Sequence, residues 1–313
     1  VSETTFQNHG VAALLEKFIK NREFLRGNRP ATLRFYAEKL DAFKCFLGDR
    51  QEITRNIVED FLAYLCRKDA KGNTRNKPGA VNCYLRAIRV FFNWCVEEDY
   101  LIQNPAAKVK YLRGEHKLVH ELSVSDQQKI LAAIKRAEGN PGSRSFALRN
   151  GSIFLLMLDT GIRPGEVCHL RIGDLDLRMN TIKVDGKTGQ RIVPFETTVR
   201  KALLGYLRTR KGIVPDDPLF EAGRSCGFMN PNSLKSIFFR LQKRTGVKVF
   251  PYMLRHTAAT AYLRGGAHSS EVSRLLGHSP GSRVLDQTYS HLVTEDLARM
   301  QKHRSPANKL ASR

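Results

Sequence analysis

Apolar positions recur every three or four residues through most of the chain, the spacing that lines one face of an α-helix. After Pro30, residues Leu33, Tyr36, Leu40, Phe43 and Leu47 form one such stripe, and Val81, Leu85, Ile88, Phe92 and Cys95 form another. Weaker stripes run over residues 11–24 and 57–66, so the first hundred residues predict four helices and a small all-α domain. Asn104-Pro105 interrupts the pattern, and residues 106–120 are basic and aperiodic, the best linker candidate. The expected division is a helical domain over residues 1–105, a linker over 106–120 and a second domain over 121–313.

In that second domain, Ser125 with Gln128 three residues later reads as a capping box opening a helix toward Ala137. An apolar helix over about residues 146–158 is expected to end near Gly161, a natural left-handed C-cap. Clear strand alternation is confined to one place. Thr181-Ile182-Lys183-Val184 and Arg191-Ile192-Val193-Pro194 flank the Gly-rich stretch Asp185-Gly186-Lys187-Thr188-Gly189, which predicts a β-hairpin with Lys187 at its tip. Helical patterns return over residues 198–208, 233–245, 253–263, 270–276 and 294–303. The predicted fold class is mainly α with a small β-hairpin or sheet.

Composition adds the partner. Of 313 residues 42% are hydrophobic, enough for packed cores, which argues against global disorder. Lys and Arg outnumber Asp and Glu by 52 to 30, a formal net charge of +22. A field of that sign recruits polyanions, with nucleic acid ahead of an anionic membrane. No basic amphipathic helix shows a lipid-seeking face, and no apolar run approaches the roughly 20 residues of a membrane span. Residues 1–20 lack the apolar core of a signal peptide, so a cytoplasmic, nucleoid-associated location is expected. The six cysteines (Cys45, Cys66, Cys83, Cys95, Cys168 and Cys226) form no close CxxC pair and are expected as buried free thiols. No Asp/Glu pair or Cys/His cluster has metal-ligand spacing and no P-loop is present, so neither metal nor cofactor is expected.

Within this basic chain a few residues carry the ingredients for attack on a phosphodiester. Arg163 lies in Thr160-Gly161-Ile162-Arg163-Pro164-Gly165-Glu166, where Pro164 fits the first turn of a helix and Glu166 is near enough to hold the guanidinium. Arg255 lies in Tyr252-Met253-Leu254-Arg255-His256-Thr257, on a helix expected after Pro251. Two arginines suit a pentacoordinate phosphorus, because each offers paired donors to non-bridging oxygens and keeps its charge at pH 7. His278 follows Leu276-Gly277, an apparent helix end, and precedes Tyr289 by 11 residues. A phenol with a pKa near 10 is a poor nucleophile in water and needs such positive surroundings. Lys187, on a hairpin tip, can protonate a departing alkoxide. Taken singly, each of these residues has an ordinary structural explanation: a surface arginine, a carboxylate-paired arginine, an incidental loop histidine, a packed tyrosine or a solvated lysine.

Taken in order, Arg163, Lys187, Arg255, His278 and Tyr289 resemble the catalytic series of the tyrosine recombinase (phage integrase) family. Leu254-Arg255-His256-Thr257 and Leu276-Gly277-His278-Ser279 look like the family's own boxes. The resemblance covers roughly residues 121–302. It implies a helical core-binding domain and a mixed, mostly α catalytic domain forming a clamp around double-stranded DNA with specific target sites. It also implies a 3′-phosphotyrosine intermediate at Tyr289 and a homotetramer assembled on two DNA sites. The short N-terminal portion points to an Xer-type or small mobile-element recombinase. One residue departs from the pattern. Tyr252 stands where the family carries a histidine thought to take up the nucleophile's proton, and a phenol cannot do that readily near neutrality. The rival expectations are a type IB topoisomerase-like enzyme and a DNA-binding protein that has lost catalysis.

Overall fold

Proline opens five of the helices, at Pro30, Pro78, Pro164, Pro231 and Pro251. At the first helical position its missing N–H removes no intrahelical bond and its fixed φ is already helical. The computed structural model describes residues 10–48, 50, 52–68, 74–114, 121–186, 189–223 and 227–279. They fall into two compact units, Val1–Lys117 and Leu118–Arg313.

The first unit is a helical bundle of α1 (Val11–Lys20), α2 (Pro30–Leu47), α3 (Arg55–Leu65) and α4 (Pro78–Glu97). The stripes expected from periodicity are the buried faces: Leu40, Phe43 and Leu47 on α2, and Val81, Leu85, Ile88 and Phe92 on α4. Aromatic rings dominate the centre. Phe18 meets Phe91 edge-on with ring centroids 5.5 Å apart, and Phe43 meets Phe61 at 5.0 Å, the edge-to-face geometry favoured by ring quadrupoles. Two local readings change. The helix expected through residue 24 is α only to Lys20 and continues as a single π turn, Asn21–Leu25. Ala106 and Val109, in the stretch read as linker, are buried in this same core. These apolar residues, set among lysines, show no helical period, so their burial was not visible in the pattern.

In the second unit α6 (Arg144–Thr160) is the central helix, packed by α5 (Val124–Glu138), α8 (Thr197–Leu207) and α10 (Pro251–Arg264). The N-cap of α5 is Ser123, whose hydroxyl accepts from the Asp126 N–H at 3.1 Å; Ser125 lies inside the helix. Helix α6 ends as expected at Gly161, at φ 62° and ψ 17°. A short helix α7 (Pro164–His169) follows, then a three-stranded antiparallel sheet of β1 (Leu175–Asp176), β2 (Thr181–Gly186) and β3 (Gly189–Pro194) in the order β1-β2-β3. The two-residue β1 was too short to read from alternation. The hairpin register ends with Gly186 opposite Gly189. Helices α9 (Pro231–Thr245) and α11 (Ser269–Leu276) complete the described part. The mainly helical class with a small sheet is thus as expected. The segment expected as a helix over residues 294–303 lies outside the described residues.

The cysteine expectation needs correction. Cys95 and Cys168 are buried, but Cys45 is exposed and Cys66 and Cys83 are half-buried; all five are free thiols. Cys226 lies outside the described residues.

Candidate active site

The site grows from a sharp corner. Gly161 adopts the left-handed conformation that closes α6, and a Cβ there would lie 2.5 Å from Leu276 Cδ2 and 3.4 Å from Ala258 Cβ. Only glycine lets α6, α10 and α11 meet this closely. The corner turns the chain so that Arg163 becomes the N-cap residue of α7. Glu166, at the third position of that helix, accepts from the Arg163 N–H at 2.8 Å and from Arg163 Nη1 at 2.9 Å. Nη2 of Arg163 donates to the Gly277 carbonyl at 2.7 Å, tying α7 to the end of α11.

Arg255 lies among the buried residues of α10. Its Nη1 donates to the Gly161 carbonyl at 2.8 Å, and its Nη2 lies 2.9 Å from His278 Nε2. A guanidinium can only donate, so Nε2 is the acceptor and the ring proton sits on Nδ1. Nδ1 in turn lies 3.3 Å from Ser273 Oγ. His278 is therefore a neutral imidazole. Burial, followed by the charges of Arg255, Arg163 and Arg191, pushes its pKa down to about 4. His256 is also lowered, by burial and then by Arg255.

The structure thus brings Arg163, Arg255 and His278 together around Gly161 and Gly277. Tyr252 is in the first turn of α10, three residues before Arg255, and is 54% exposed. Lys187 and Tyr289 lie outside the described residues.

Sequence reasoning missed Arg191. From β3 it donates in parallel to both oxygens of Glu166, Nη1 to Oε1 at 3.0 Å and Nη2 to Oε2 at 2.8 Å. Its Nε reaches the Leu275 carbonyl at 3.3 Å. Burial alone would raise the Glu166 pKa, but the hydrogen bonds from Arg191 and Arg163 outweigh it and hold the carboxyl below its ordinary value. The strand pattern shows only which way Arg191 faces. Arg191 shares a face with the buried Val193, while Ile192 between them points outward at 71% exposure.

Among the described residues no group of three or more His, Cys, Asp or Glu could hold a metal ion. Nor is any helix among them long and apolar enough to cross a membrane.

Two guanidiniums and a neutral imidazole thus converge on one corner of the second unit. The chain belongs to the phage integrase family: that family's pattern matches residues 121–296, and the phage integrase SAM-like domain matches residues 11–113. It is similar to tyrosine recombinase XerC of Thermodesulfovibrio yellowstonii, with 29% identity over 306 residues, 94% of this chain and 97% of that protein. The crystal structure of XerA recombinase matches at 26% identity and a TM-score of 0.51, covering 95% of this chain and 99% of that one. The fold is also that of a lambda integrase tetramer solved bound to a Holliday junction. That match has 18% identity and a TM-score of 0.68, covering 90% of this chain and 78% of that one.

Proposed function

We propose that this chain is a site-specific DNA recombinase that cuts and rejoins double-stranded DNA through a 3′-phosphotyrosine bond at Tyr289. The observation that carries the reading is the convergence of Arg163, Arg255 and neutral His278 on one corner of a strongly basic chain. Family membership and the Xer relatives support the same chemistry.

In this reading Tyr289 Oη attacks the scissile phosphorus as the bond from phosphorus to O5′ breaks. The phenolic proton passes to water, and Lys187 supplies a proton to the departing oxygen. Arg163 and Arg255 donate to the non-bridging oxygens, where negative charge builds up. Phosphate entry draws the Arg255 donors away from His278 and places negative charge beside the ring. That raises its proton affinity, and once protonated on Nε2 the ring can donate to the same oxygens. Tyr252, in place of a histidine, orients the phosphate by a hydrogen bond. The phosphotyrosyl ester conserves the bond energy. A 5′-hydroxyl from the partner strand attacks it and restores the tyrosine, so neither nucleotide nor metal is consumed.

Val1–Lys117 serves as the core-binding half and Leu118–Arg313 as the catalytic half of a clamp on DNA. A homotetramer on two specific sites, within the cytoplasm and on the nucleoid, completes the assignment; the lambda integrase tetramer of the same fold supports that stoichiometry.

The experiment is incubation with nicked suicide duplexes carrying candidate sites, in EDTA and without nucleotide. A covalent adduct should map to Tyr289 and vanish in Tyr289→Phe, with DNA binding retained in both. Site-specific binding without an adduct in the native chain would refute the enzyme reading. Recovery of adduct by Tyr252→His would then place the defect at that residue.

A further inference from the structure

The role of Arg191 follows from counting charges around Glu166. Glu166 offers one negative charge, and its side chain is 5% exposed. Two guanidiniums share it: Arg191, with 14% of its side chain exposed, and Arg163, with 24%. Arg163 is the outer of the two. Were Glu166 its partner alone, the pair would be neutral, and the carboxylate would compete with an incoming phosphate for the guanidinium. Arg191 instead engages both carboxylate oxygens from within through a parallel bidentate bond, a strong, geometrically specific arrangement, and shares the charge that Arg163 also contacts. The three groups together keep a net charge of +1.

The same guanidinium seats the end of α11. A Cβ at Gly277 would lie 2.6 Å from Arg191 Cζ, so glycine alone allows the backbone before His278 to rest on it. Arg191 Nε bonds the Leu275 carbonyl, and Arg163 Nη2 bonds that of Gly277. These are carbonyls that the helix end leaves without an intrahelical donor. On the hairpin side, a Cβ at Gly186 would lie 2.7 Å from Glu166 Oε1 and 3.1 Å from Arg191 Nη1. Strand β2, helix α7 and helix α11 therefore all close on one ion triad.

We infer that Arg191 is a positioning residue for strand cleavage: it neutralises Glu166 so that the charge of Arg163 remains available to the scissile phosphate, and it holds the Gly277-His278 corner in register with Arg163. This rests on the tyrosine recombinase reading above. Arg191 itself touches no reacting atom.

The test compares the full native chain with Arg191→Gln, which removes the charge, and Arg191→Lys, which keeps the charge but not the fork. Single-turnover adduct formation at saturating enzyme is measured beside the Kd for the same DNA site and the thermal transition. Arg191→Gln should slow adduct formation by about 10²-fold, the scale of losing one transition-state donor, while Kd changes only a few-fold. Arg191→Lys should regain on the order of tenfold of that rate, since it restores the charge. Near-native cleavage by Arg191→Gln would overturn the inference and leave the enzyme reading intact. So would equal rates for the two variants. A parallel collapse of rate, Kd and thermal transition in both would reduce Arg191 to a fold-stabilising residue. Absence of any adduct from the native chain would remove the enzyme reading and this inference with it.

Discussion

Glu166→Ala is the sharpest structural perturbation available. The carboxylate accepts four hydrogen bonds, one from the Arg163 backbone and three from guanidinium nitrogens, at 2.8 to 3.0 Å. Truncation leaves two guanidiniums facing one another in a mostly buried setting with no counter-charge. Removing one partner of a buried ion pair costs roughly 3–5 kcal/mol. For a unit of this size that is on the order of 10 °C in Tm. The chain provides its own control, because its single tryptophan, Trp94, is buried in the first unit. Tryptophan fluorescence follows that unit, while far-UV circular dichroism follows both. Glu166→Ala should lower the dichroism transition and leave the fluorescence transition in place. The folded pKa of Glu166 lies below its ordinary 4.5. Its stabilisation is therefore complete above the unfolded value and is lost as pH falls through the folded one. The native chain should approach the variant's stability in acid. A shift below about 0.5 kcal/mol at neutral pH, the range of ordinary surface substitutions, would refute the triad as a structural centre. So would a shift that does not shrink in acid.

Other expectations follow from the same corner. Gly161→Ala combines a left-handed φ with a Cβ 2.5 Å from Leu276. It should cost about 2–4 kcal/mol by denaturant titration and slow cleavage, because the Gly161 carbonyl anchors Arg255. His278, held neutral with a pKa near 4, stabilises the fold above its unfolded value of about 6.5, and this is lost as pH falls between the two. The stability difference between the native chain and His278→Ala should therefore narrow over that window; a flat difference would show that the imidazole is not depressed.

Periodicity alone marked nearly every helix, because burial of one face forces the 3.6-residue repeat into the sequence whatever the tertiary arrangement. Proline and glycine marked the ends for an equally local reason: Pro164 can only begin a helix comfortably, and Gly161 can close one in a conformation that other residues resist. Arg163, Arg255 and His278 were legible because their order and flanking boxes resemble those of the family. The Ser123 cap was misread by two residues because the Ser-Val-Ser run offers two equivalent hydroxyls, and only the backbone geometry chooses between them. Arg191 stayed hidden because its meaning lies in Glu166, 25 residues away, and in the Leu275 carbonyl of α11, 84 residues away. No local pattern records a partner at that distance. The sequence by itself determined which segments are helical and which side chains are candidates for the chemistry. The tertiary structure decided which charges neutralise one another, since that depends on through-space distances of about 3 Å between strands and helices that the chain order keeps apart.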